Sequence, residues 1–566
     1  MASQVWRDPI EATTPDVLPH ASFLGLPPET IAAILLYLGT NTLRAVSLTC
    51  TSLRDPAARL LHRKLVLRWN RNLGFHLARL EAILTSSEYA LSNIRRIDII
   101  QVADNAHSNS NTARQPPPGL KPAEDLLLRL LIRKLRPDQL RFVSLSSVEG
   151  ICADTAALLL STQRNLTHLD LSTRNEIIDI MPFAFSINNL QSFGFHLGES
   201  EVAVSKAFAF MYHVLKRNCD TLKSLYLSFS EKSELYKELE RDSVTNMNTQ
   251  NQEDSATAQI LRLFVGGPSS EGEMIHFRSL RQLRLQRLPS FGALFNMGGP
   301  TLTERLNLEN IVLIRIDHCN AADELIRNIS GSVPNIRILQ LVRSCDWATI
   351  ETVLVDLPPL EVLHVKFTDG KELGSAINPR IFDRHRERIR SMWLECLSSG
   401  TEVRAHTISC LLKLFKAGSQ YLPWPKLQQL AIQADDYGFM CPYFSTLRYL
   451  RILPGRSRQV RTITSEKEAA LRNCDMYLQS CGRVHRQPPT LQVISATVSD
   501  APAFANANHQ PCYFVVEFVK TMLGGQAPVV SRAKPHDIRQ LFPTLNLIEF
   551  ERGERVWGDV DGEILA

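Results

Sequence analysis

One short pattern recurs in the middle of the chain, where it reads NIVLIRI (310–316), NIRILQL (335–341) and PLEVLHV (359–365). Each copy has apolar residues at the first, fourth and sixth positions of L-x-x-L-x-L, and the copies begin 24 or 25 residues apart. Alternation in the second half of the pattern predicts a strand with one buried face. Recurrence at a nearly fixed interval predicts that each strand is one unit of a stacked array.

The same pattern occurs along most of the chain. Further copies lie at 93–99, 139–145, 165–171, 189–195, 221–227, 279–285, 388–394, 426–432 and 446–452, with a weaker copy at 544–550 and a marginal one at 490–496. Leucine is common enough for any single copy to arise by chance, but a dozen copies at quasi-regular intervals are not expected at random. The predicted strands are joined by helices or irregular turns, and 322–329 and 351–357 are predicted return helices.

These copies resemble the units of the leucine-rich repeat family, which are 20–29 residues long. The resemblance implies an α/β solenoid with parallel strands on its concave face and helices and loops on its convex face. The family's asparagine or cysteine three residues after the last leucine is largely missing, because Cys319 fits but Arg174, Ser230 and Thr368 do not. We therefore predict an irregular solenoid with variable repeat boundaries.

Near the start of the chain, residues 24–67 carry the signatures of three short amphipathic helices. In LPPETIAAILLYL (26–38), apolar residues recur at i, i+3, i+4 and i+7, and a glycine follows. Asn41 is suited to cap the second helix, and Asp55 followed by proline opens a third that continues through Leu65. So short a unit buries little by itself, and it should pack on a neighbour or a partner.

This stretch resembles the F-box, a short helical module that docks on the Skp1 adaptor of cullin–RING ubiquitin ligases. The resemblance implies that the Leu-Pro pair and the apolar residues after it bind the adaptor. Carried over by position, these residues are Leu26, Pro27, Ile31, Ile34, Leu35, Leu38, Leu43, Leu48 and Leu53. Leu53 departs from the family, in which many members have tryptophan or another aromatic residue there. An ordinary three-helix cap for the following domain is the alternative.

Side chains that flank the buried leucines of a repeat strand point to the concave face, so a binding surface can be read from the sequence. Tryptophan, tyrosine and arginine are enriched at binding hot spots. We predict an exposed target-binding surface that includes Tyr226, Arg284, Arg315, His364, Trp393, Tyr449 and Arg451. Trp393 has an alternative, in which it packs against an adjacent loop or the C-terminal segment.

Two long intervals between copies lack apolar periodicity and are predicted as polar loop inserts near 102–124 and 241–258. The expected organisation is an F-box domain at 22–70 and a leucine-rich repeat-like solenoid over 71–566. A basic run, Arg-His-Arg-Glu-Arg at 384–388, lies directly before a repeat strand. That position favours a solvated helix end over a nucleic-acid patch.

The composition excludes several classes of protein. With 44% hydrophobic and 21% charged residues over 566 positions, wholesale disorder is excluded. A formal charge of only +5 predicts neither a nucleic-acid partner nor a membrane surface. Eleven cysteines without a CxxC pair, and an N-terminus without an apolar leader, are typical of reduced thiols in the cytosol or nucleus.

Sequence motifs of catalysis are missing: no GxxxxGK[ST], HExxH or GxSxG occurs. Cys474, Cys481 and His485 come closest to a metal-binding spacing, but they lack a fourth ligand nearby. We therefore expect no catalytic residue, no bound metal and no cofactor.

These features together predict a non-catalytic substrate-recognition subunit of a Skp1–cullin–F-box ubiquitin ligase. Its partners would be a Skp1-like adaptor, a cullin bound through that adaptor, and a protein target held by the solenoid. Two alternatives stay open at this point. One is a leucine-rich repeat scaffold for a complex unrelated to ubiquitin, and the other is a divergent enzyme with its active site on loops.

Overall fold

The structure of the chain is a computed structural model. It describes residues 23–70, 74–75, 77–85, 88–102, 122–145, 151–173, 184, 186–197, 204–229, 275–287, 307–319, 322–367, 379–396, 416–417, 420–421, 424–434, 446–454, 467–468, 470–472, 474–475, 490–496, 512–520, 526–533, 538 and 541–542. Within these residues the longer helices are α1 Pro28–Leu36, α2 Thr40–Thr49, α3 Thr51–Arg63, α4 Leu77–Leu84, α5 Glu88–Ser92, α6 Pro122–Lys134, α7 Ala153–Thr162, α8 Val204–Asn218, α9 Ala322–Ser330 and α10 Trp347–Asp356. Short 3-10 helices lie at Phe23–Gly25, Leu308–Asn310 and Pro379–Phe382.

The first three helices pack around a small core of their own, separate from the main core of the protein. Ile31, Leu35, Leu43 and Ala57 are its buried members. α1 begins at Pro28, where a proline is tolerated because the first helical N–H has no partner within the helix. We call these three helices, with the 3-10 helix that precedes them, the helical unit.

The third helix begins and ends earlier than the sequence pattern predicts. α3 begins at Thr51, and the carbonyl of Cys50 accepts the backbone N–H of Arg54 at 3.1 Å in its first turn. Pro56 therefore lies inside the helix instead of opening it. Leu65, which the sequence pattern places in this helix, lies instead in the first strand. Its side chain is buried in the core of the sheet.

Seventeen strands of the described residues form one sheet. They are β1 Lys64–Asn70, β2 Gly74–Phe75, β3 Arg96–Val102, β4 Phe142–Ser144, β5 His168–Thr173, β6 Ser192–Leu197, β7 Ser224–Phe229, β8 Gln282–Gln286, β9 Leu313–Asp317, β10 Ile338–Val342, β11 Val362–Phe367, β12 Ser391–Cys396, β15 Gln429–Ala434, β16 Tyr449–Pro454, β17 Val493–Ala496, β18 Cys512–Lys520 and β19 Gln526–Ala533. β13 Lys416–Ala417 and β14 Gln420–Tyr421 form a separate antiparallel pair. The chain is thus a mixed α/β protein with a long, open, mostly parallel sheet.

Neighbouring parallel strands keep the repeated pattern in register. Leu339 of β10 pairs with Ile314 of β9 and with Leu363 of β11, and Met392 of β12 continues the same row. All twelve predicted strands form, and the marginal copy at 490–496 forms β17, whereas 544–550 lies outside the described residues. Because side chains alternate along a strand, this register places every L-x-L on one face and gives the solenoid-like repeats a continuous core.

The two ends of the sheet differ from the repeat pattern. β1 is a parallel strand beside β3, although its sequence carries no copy of the full pattern, and β2 pairs with it antiparallel. At the other end β18 pairs antiparallel with β17, and β19 with β18. These antiparallel pairings were not predicted.

The apolar face of the sheet packs against helices in a core that runs from Leu65 to Val530. α9 and α10 confirm the two predicted return helices, although α10 begins one turn before residue 351. Val102 ends β3 and Pro122 begins α6, so the ends of the first predicted polar insert are regular structure. Residues 103–121 and 241–258 lie outside the described part of the chain.

A buried polar side chain fixes the start of several strands. Gln163, Asn218 and His385 each accept the backbone N–H of the first leucine of the preceding pattern copy, at 2.8, 2.8 and 3.1 Å. The same side chains also hydrogen-bond backbone carbonyls of nearby turns or helix ends. We call this arrangement the strand-start clip, and it satisfies polar groups that would be costly to bury unpaired.

Candidate docking surfaces

Most of the residues assigned to adaptor binding by resemblance lie in the interior of the helical unit. Ile31, Leu35 and Leu43 are buried. Leu26, Leu38 and Leu53 are partly buried and pack against them. These side chains therefore hold the three helices together, and the surface of the unit is made by other residues.

Several large apolar side chains of the helical unit are exposed. From the predicted set these are Ile34, which is 38% exposed, and Leu48, which is 80% exposed. Pro27 is exposed as well. Three more exposed side chains were not predicted from the sequence: Leu24 at 48%, Leu36 at 50% and Tyr37 at 89% exposure. We call Leu24, Ile34, Leu36, Tyr37 and Leu48 the exposed apolar set.

The positions of Leu36 and Tyr37 follow from helix geometry. The inward-facing stripe of α1 contains Ile31 and Leu35, and Leu38, two residues beyond the end of α1, continues it. Leu36 and Tyr37 fall off that stripe, because successive residues of a helix are about 100° apart. The sequence could therefore have predicted the exposure of Leu36 and Tyr37, because both are apolar residues that lie off the buried stripe of an amphipathic helix.

The residues predicted for target binding share one face of the sheet, opposite the repeat leucines. Six of them lie in a single row across the strands, in which register pairs join Tyr226, Arg284, Arg315, Gln340, His364, Trp393, Ala431 and Arg451 in that order. We call this line of side chains the central row. Tyr449 lies two residues before Arg451 on β16, in the neighbouring row.

The exposure predicted for this surface is wrong for five of the seven residues. Within the described part of the chain, Arg284 and Arg315 are half-buried, and the buried members are Tyr226, His364, Trp393, Tyr449 and Arg451. Strands of one sheet are only about 4.8 Å apart, so large side chains in one row cover one another. Trp393 retains just 3% of its surface.

Near the C-terminal end of the sheet, the side chains of the predicted binding surface are buried for a second reason, because later segments of the chain cover them. Trp393 and Tyr449 share a small apolar cluster with Tyr513 of β18 and with Ile538, and Phe542 packs against the same cluster. The alternative reading of Trp393, in which it packs against the C-terminal segment, is therefore confirmed.

Trp393 is also the centre of a charged network. Lys366 Nζ lies 4.4 Å and the Arg451 guanidinium carbon 4.9 Å from the centroid of a Trp393 ring. Glu395 accepts a 3.0 Å hydrogen bond from Trp393 Nε1 and pairs with Lys366 Nζ at 3.3 Å. Burial by itself would raise the pKa of Glu395, but Lys366, the Trp393 N–H and Arg451 together hold it below its usual range.

His364 lies in the interior of the same face and is uncharged. Its ring nitrogens are 3.3 Å from Gln340 Nε2 and 3.1 Å from Ser391 Oγ. Burial, with the positive charges of Arg315 and Lys366, lowers the pKa of His364 to about 3. A histidine with so low a pKa contributes packing and hydrogen bonds, and it does not take up a second ring proton near neutral pH.

Tyr226 belongs to a similar network nearer the N-terminal end. Its hydroxyl donates a hydrogen bond to Gln286, and its ring meets His196 edge-on with centroids 4.9 Å apart. His196 Nε2 lies 3.6 Å from a carboxylate oxygen of Asp170, whose other oxygen accepts a 3.0 Å bond from Ser144. Most large side chains of the central row thus already have partners on the same face of the sheet.

The described residues contain no group of three or more His, Cys, Asp or Glu side chains arranged to hold a metal ion. Among the helices that the structure describes, none is both long and apolar enough to span a bilayer. Cys474, which the sequence placed nearest to a metal spacing, is buried, and burial raises the pKa of its thiol to about 12. Cys481 and His485 lie outside the described residues.

Comparison with known proteins gives one kind of match. No model of a protein family matches the chain, and no curated protein matches its sequence. Solved structures do match, among them the crystal structure of the Rad7 and Elc1 complex in yeast. The matched chain is 13% identical, with 77% of this chain and 91% of that chain covered, at a TM-score of 0.35.

Proposed function

We propose that this chain is the substrate-recognition subunit of a Skp1–cullin–F-box ubiquitin ligase. The observation that carries the proposal is the exposed apolar set on the helical unit. Large apolar side chains left exposed on one small unit are of the kind that a docking partner covers. Tyrosine and leucine at such a site supply the apolar area that a partner helix would cover.

The sequence resemblance to the F-box supports the same proposal. The buried leucines and isoleucines of the helical unit hold its helices in place, and the exposed apolar set provides the surface that Skp1 would cover. In this proposal the chain performs no bond chemistry. It holds a target beside the ubiquitin-transferring subunits and raises the effective concentration of the reacting groups.

Co-purification with Skp1 tests the proposal. The full chain, expressed together with Skp1, should elute with it as one complex in size-exclusion chromatography. Leu48→Asp and Tyr37→Asp should abolish that complex, because each would place a charge in the centre of an apolar interface. Leu126→Asp is the matched control, since Leu126 is 54% exposed on α6, which is not part of the helical unit.

Both variants and the control change exposed side chains, so their melting temperatures should stay close to that of the wild type. If the wild-type chain forms no complex with Skp1 while circular dichroism shows it folded, the adaptor proposal is refuted. The leucine-rich repeat scaffold unrelated to ubiquitin would then replace it. We further propose a location in the cytosol or nucleus, where the Skp1 ligases act.

A further inference from the structure

The basic run at 384–388, for which the sequence favours a solvated helix end, keeps Arg384, Glu387 and Arg388 exposed. It forms a turn between the 3-10 helix Pro379–Phe382 and β12. One side chain of the run faces the interior, because His385 is fully buried and its ring bonds backbone groups of other segments.

Three hydrogen bonds hold this turn against the preceding repeat. His385 Nδ1 accepts the backbone N–H of Leu360 at 3.1 Å, and Nε2 donates to the carbonyl of Leu354 at 2.8 Å. Arg384 donates to the carbonyl of Val355 at 2.8 Å. The arginines that follow are therefore held in place at the start of β12 by the backbone of the turn.

Beside this turn lies a recess of about 280 Å³ at the edge where the parallel strands begin. It is lined by Arg337, Glu361, Arg388, Arg390 and Lys426. The backbone N–H of Glu361 donates to Arg337 O and that of Arg390 to Glu361 O, both at 2.8 Å. Successive strands of the sheet thus set the spacing of the lining residues.

The recess carries a large excess of positive charge. Four of its five lining side chains are cationic, and the carboxylate of Glu361 pairs with Arg337 at 3.6 Å. Arg388, Arg390 and Lys426 are exposed around the same recess. A ligand that carries negative charge would be attracted by these cations and would offset the repulsion among them.

We infer that this recess binds the oxyanion group of an acidic segment in a protein partner, either a side-chain carboxylate or a phosphate. Arginine forks match the geometry of both groups and bind them with charge-assisted hydrogen bonds. The assignment of the anion site depends only on the residues that line the recess. The identity of the partner as a ligase target rests on the proposed function.

A peptide fits the recess better than a nucleic acid does. The cations of the recess belong to a longer strand-start edge, which also carries Arg141, Lys223 and Arg281, with uncharged Thr167, Gln191 and Val312 between the cations. Acidic Glu361 lies within the lining, and the turn itself carries exposed Asp383 and Glu387. These carboxylates would repel a continuous polyanion, but a single oxyanion can approach the arginines between them.

Fluorescence anisotropy of the full chain tests this inference with four labelled probes. They are a Gly-Ser peptide with one phosphoserine, the same peptide with three glutamates in place of the phosphoserine, the unmodified peptide, and a short DNA duplex. The phosphoserine or the glutamate peptide should bind more tightly than the unmodified one. Arg388→Gln and Arg390→Gln should each weaken that binding about tenfold or more, the cost of a hydrogen bond to a charged group.

Arg281→Gln is the matched control, because Arg281 is exposed one residue before β8, as Arg390 is before β12, but does not line the recess. It should leave the affinity within about twofold of the wild type. Equal binding of all three peptides, or equal losses in Arg281→Gln and Arg390→Gln, overturns the inference. Tighter binding of the duplex than of either anionic peptide also overturns it and indicates a nucleic-acid site.

Binding of Skp1 should not depend on the residues of this recess. Arg388→Gln and Arg390→Gln should co-purify with Skp1 as the wild type does, since the recess lies on strands far along the chain from the helical unit. A chain that binds the anionic peptides but not Skp1 would refute the proposed function and leave the anion site standing.

Discussion

Replacing His385 by leucine removes one complete strand-start clip and should destabilise the protein. The ring is fully buried and makes two hydrogen bonds, one to Leu360 N–H and one to Leu354 O. Because Nδ1 accepts a hydrogen bond from a backbone N–H, the ring proton must be on Nε2, which then donates a hydrogen bond to the carbonyl. Leucine has a similar volume but can satisfy neither backbone group.

The size of the effect follows from those two backbone groups. A buried backbone group that loses its partner costs about 1–3 kcal/mol. Two of them give about 2–6 kcal/mol, and the added apolar burial of leucine offsets about 1–2 kcal/mol of this. The difference spans about 0–5 kcal/mol, and from its midpoint we expect His385→Leu to lower the free energy of unfolding by about 2.5 kcal/mol.

The assay is urea unfolding at pH 7.5, followed by circular dichroism, for the wild type, His385→Leu and His385→Asn. Asparagine is the informative control, because Asn218 and Gln163 are amides that perform the same task elsewhere in the sheet. His385→Asn should recover at least half of the lost stability. A change below about 0.5 kcal/mol in His385→Leu, or no difference between the two variants, would refute the reasoning.

The pH dependence of stability gives a second test of the same clip. Burial, with the positive charge of Arg384, lowers the pKa of His385 despite its hydrogen bond to Leu354. Below about pH 6.5, His385 takes up a proton in the unfolded chain but not in the folded chain. The stability that the neutral, buried His385 contributes is therefore complete above about pH 6.5 and is lost as the pH falls. His385→Asn should therefore lose less stability than the wild type between pH 7.5 and 5.5. An identical loss would contradict a neutral buried His385.

Three further predictions concern other parts of the sheet. Arg129→Met should lower the free energy of unfolding by about 3 kcal/mol in urea unfolding, because it leaves the buried carboxylate of Asp125, 3.1 Å from the arginine, without its cation; an unchanged midpoint would contradict this. His364 should stay neutral from pH 7.5 to 5, because its pKa is about 3, and a shifting ring resonance in NMR spectra over that range would show the opposite. Cys345 and Cys474 should resist a thiol reagent at pH 8 until urea is added, because burial raises the pKa of both thiols, and rapid labelling of the folded chain would disprove their burial.

The repeat architecture could be predicted because it depends on a pattern that every unit repeats. Alternating apolar residues that recur, 24 or 25 positions apart in the middle of the chain, specify strands, a buried face and a register, and the register pairs of Leu339 with Ile314 and Leu363 follow directly. β1 could not be predicted in the same way. Its residues alternate correctly, but it directly follows a helix and is not preceded by the first leucine of the pattern.

The strand-start clip and the burial of Trp393 could not be predicted for a different reason. Gln163, Asn218 and His385 are ordinary polar residues of the segments between strands, and nothing in their spacing tells a buried partner from a solvated one. Trp393 is covered by Ile538, which is far along the chain, so its burial depends on a tertiary contact that local alternation does not encode. Alternation identified the correct face of the strand, but not what covers it.

The exposed apolar set was missed in part because the helical pattern was used only to find a buried stripe. Ile34 belongs to that stripe by its spacing, yet 38% of its surface is exposed, while Tyr37 lies off the stripe and is 89% exposed. A small three-helix unit does not have enough interior for all of its apolar residues. Those left outside are the ones on which the proposed function depends.

Hydrogen–deuterium exchange of the full chain, with and without saturating Skp1, tests the central proposal most directly. Peptides that cover residues 24–49 should gain protection, because they contain the whole exposed apolar set, and peptides from the central strands β8–β11 should not change. In Leu48→Asp the protection of 24–49 should disappear. Protection of the sheet without protection of the helical unit, or none anywhere at saturating Skp1, would contradict the proposal.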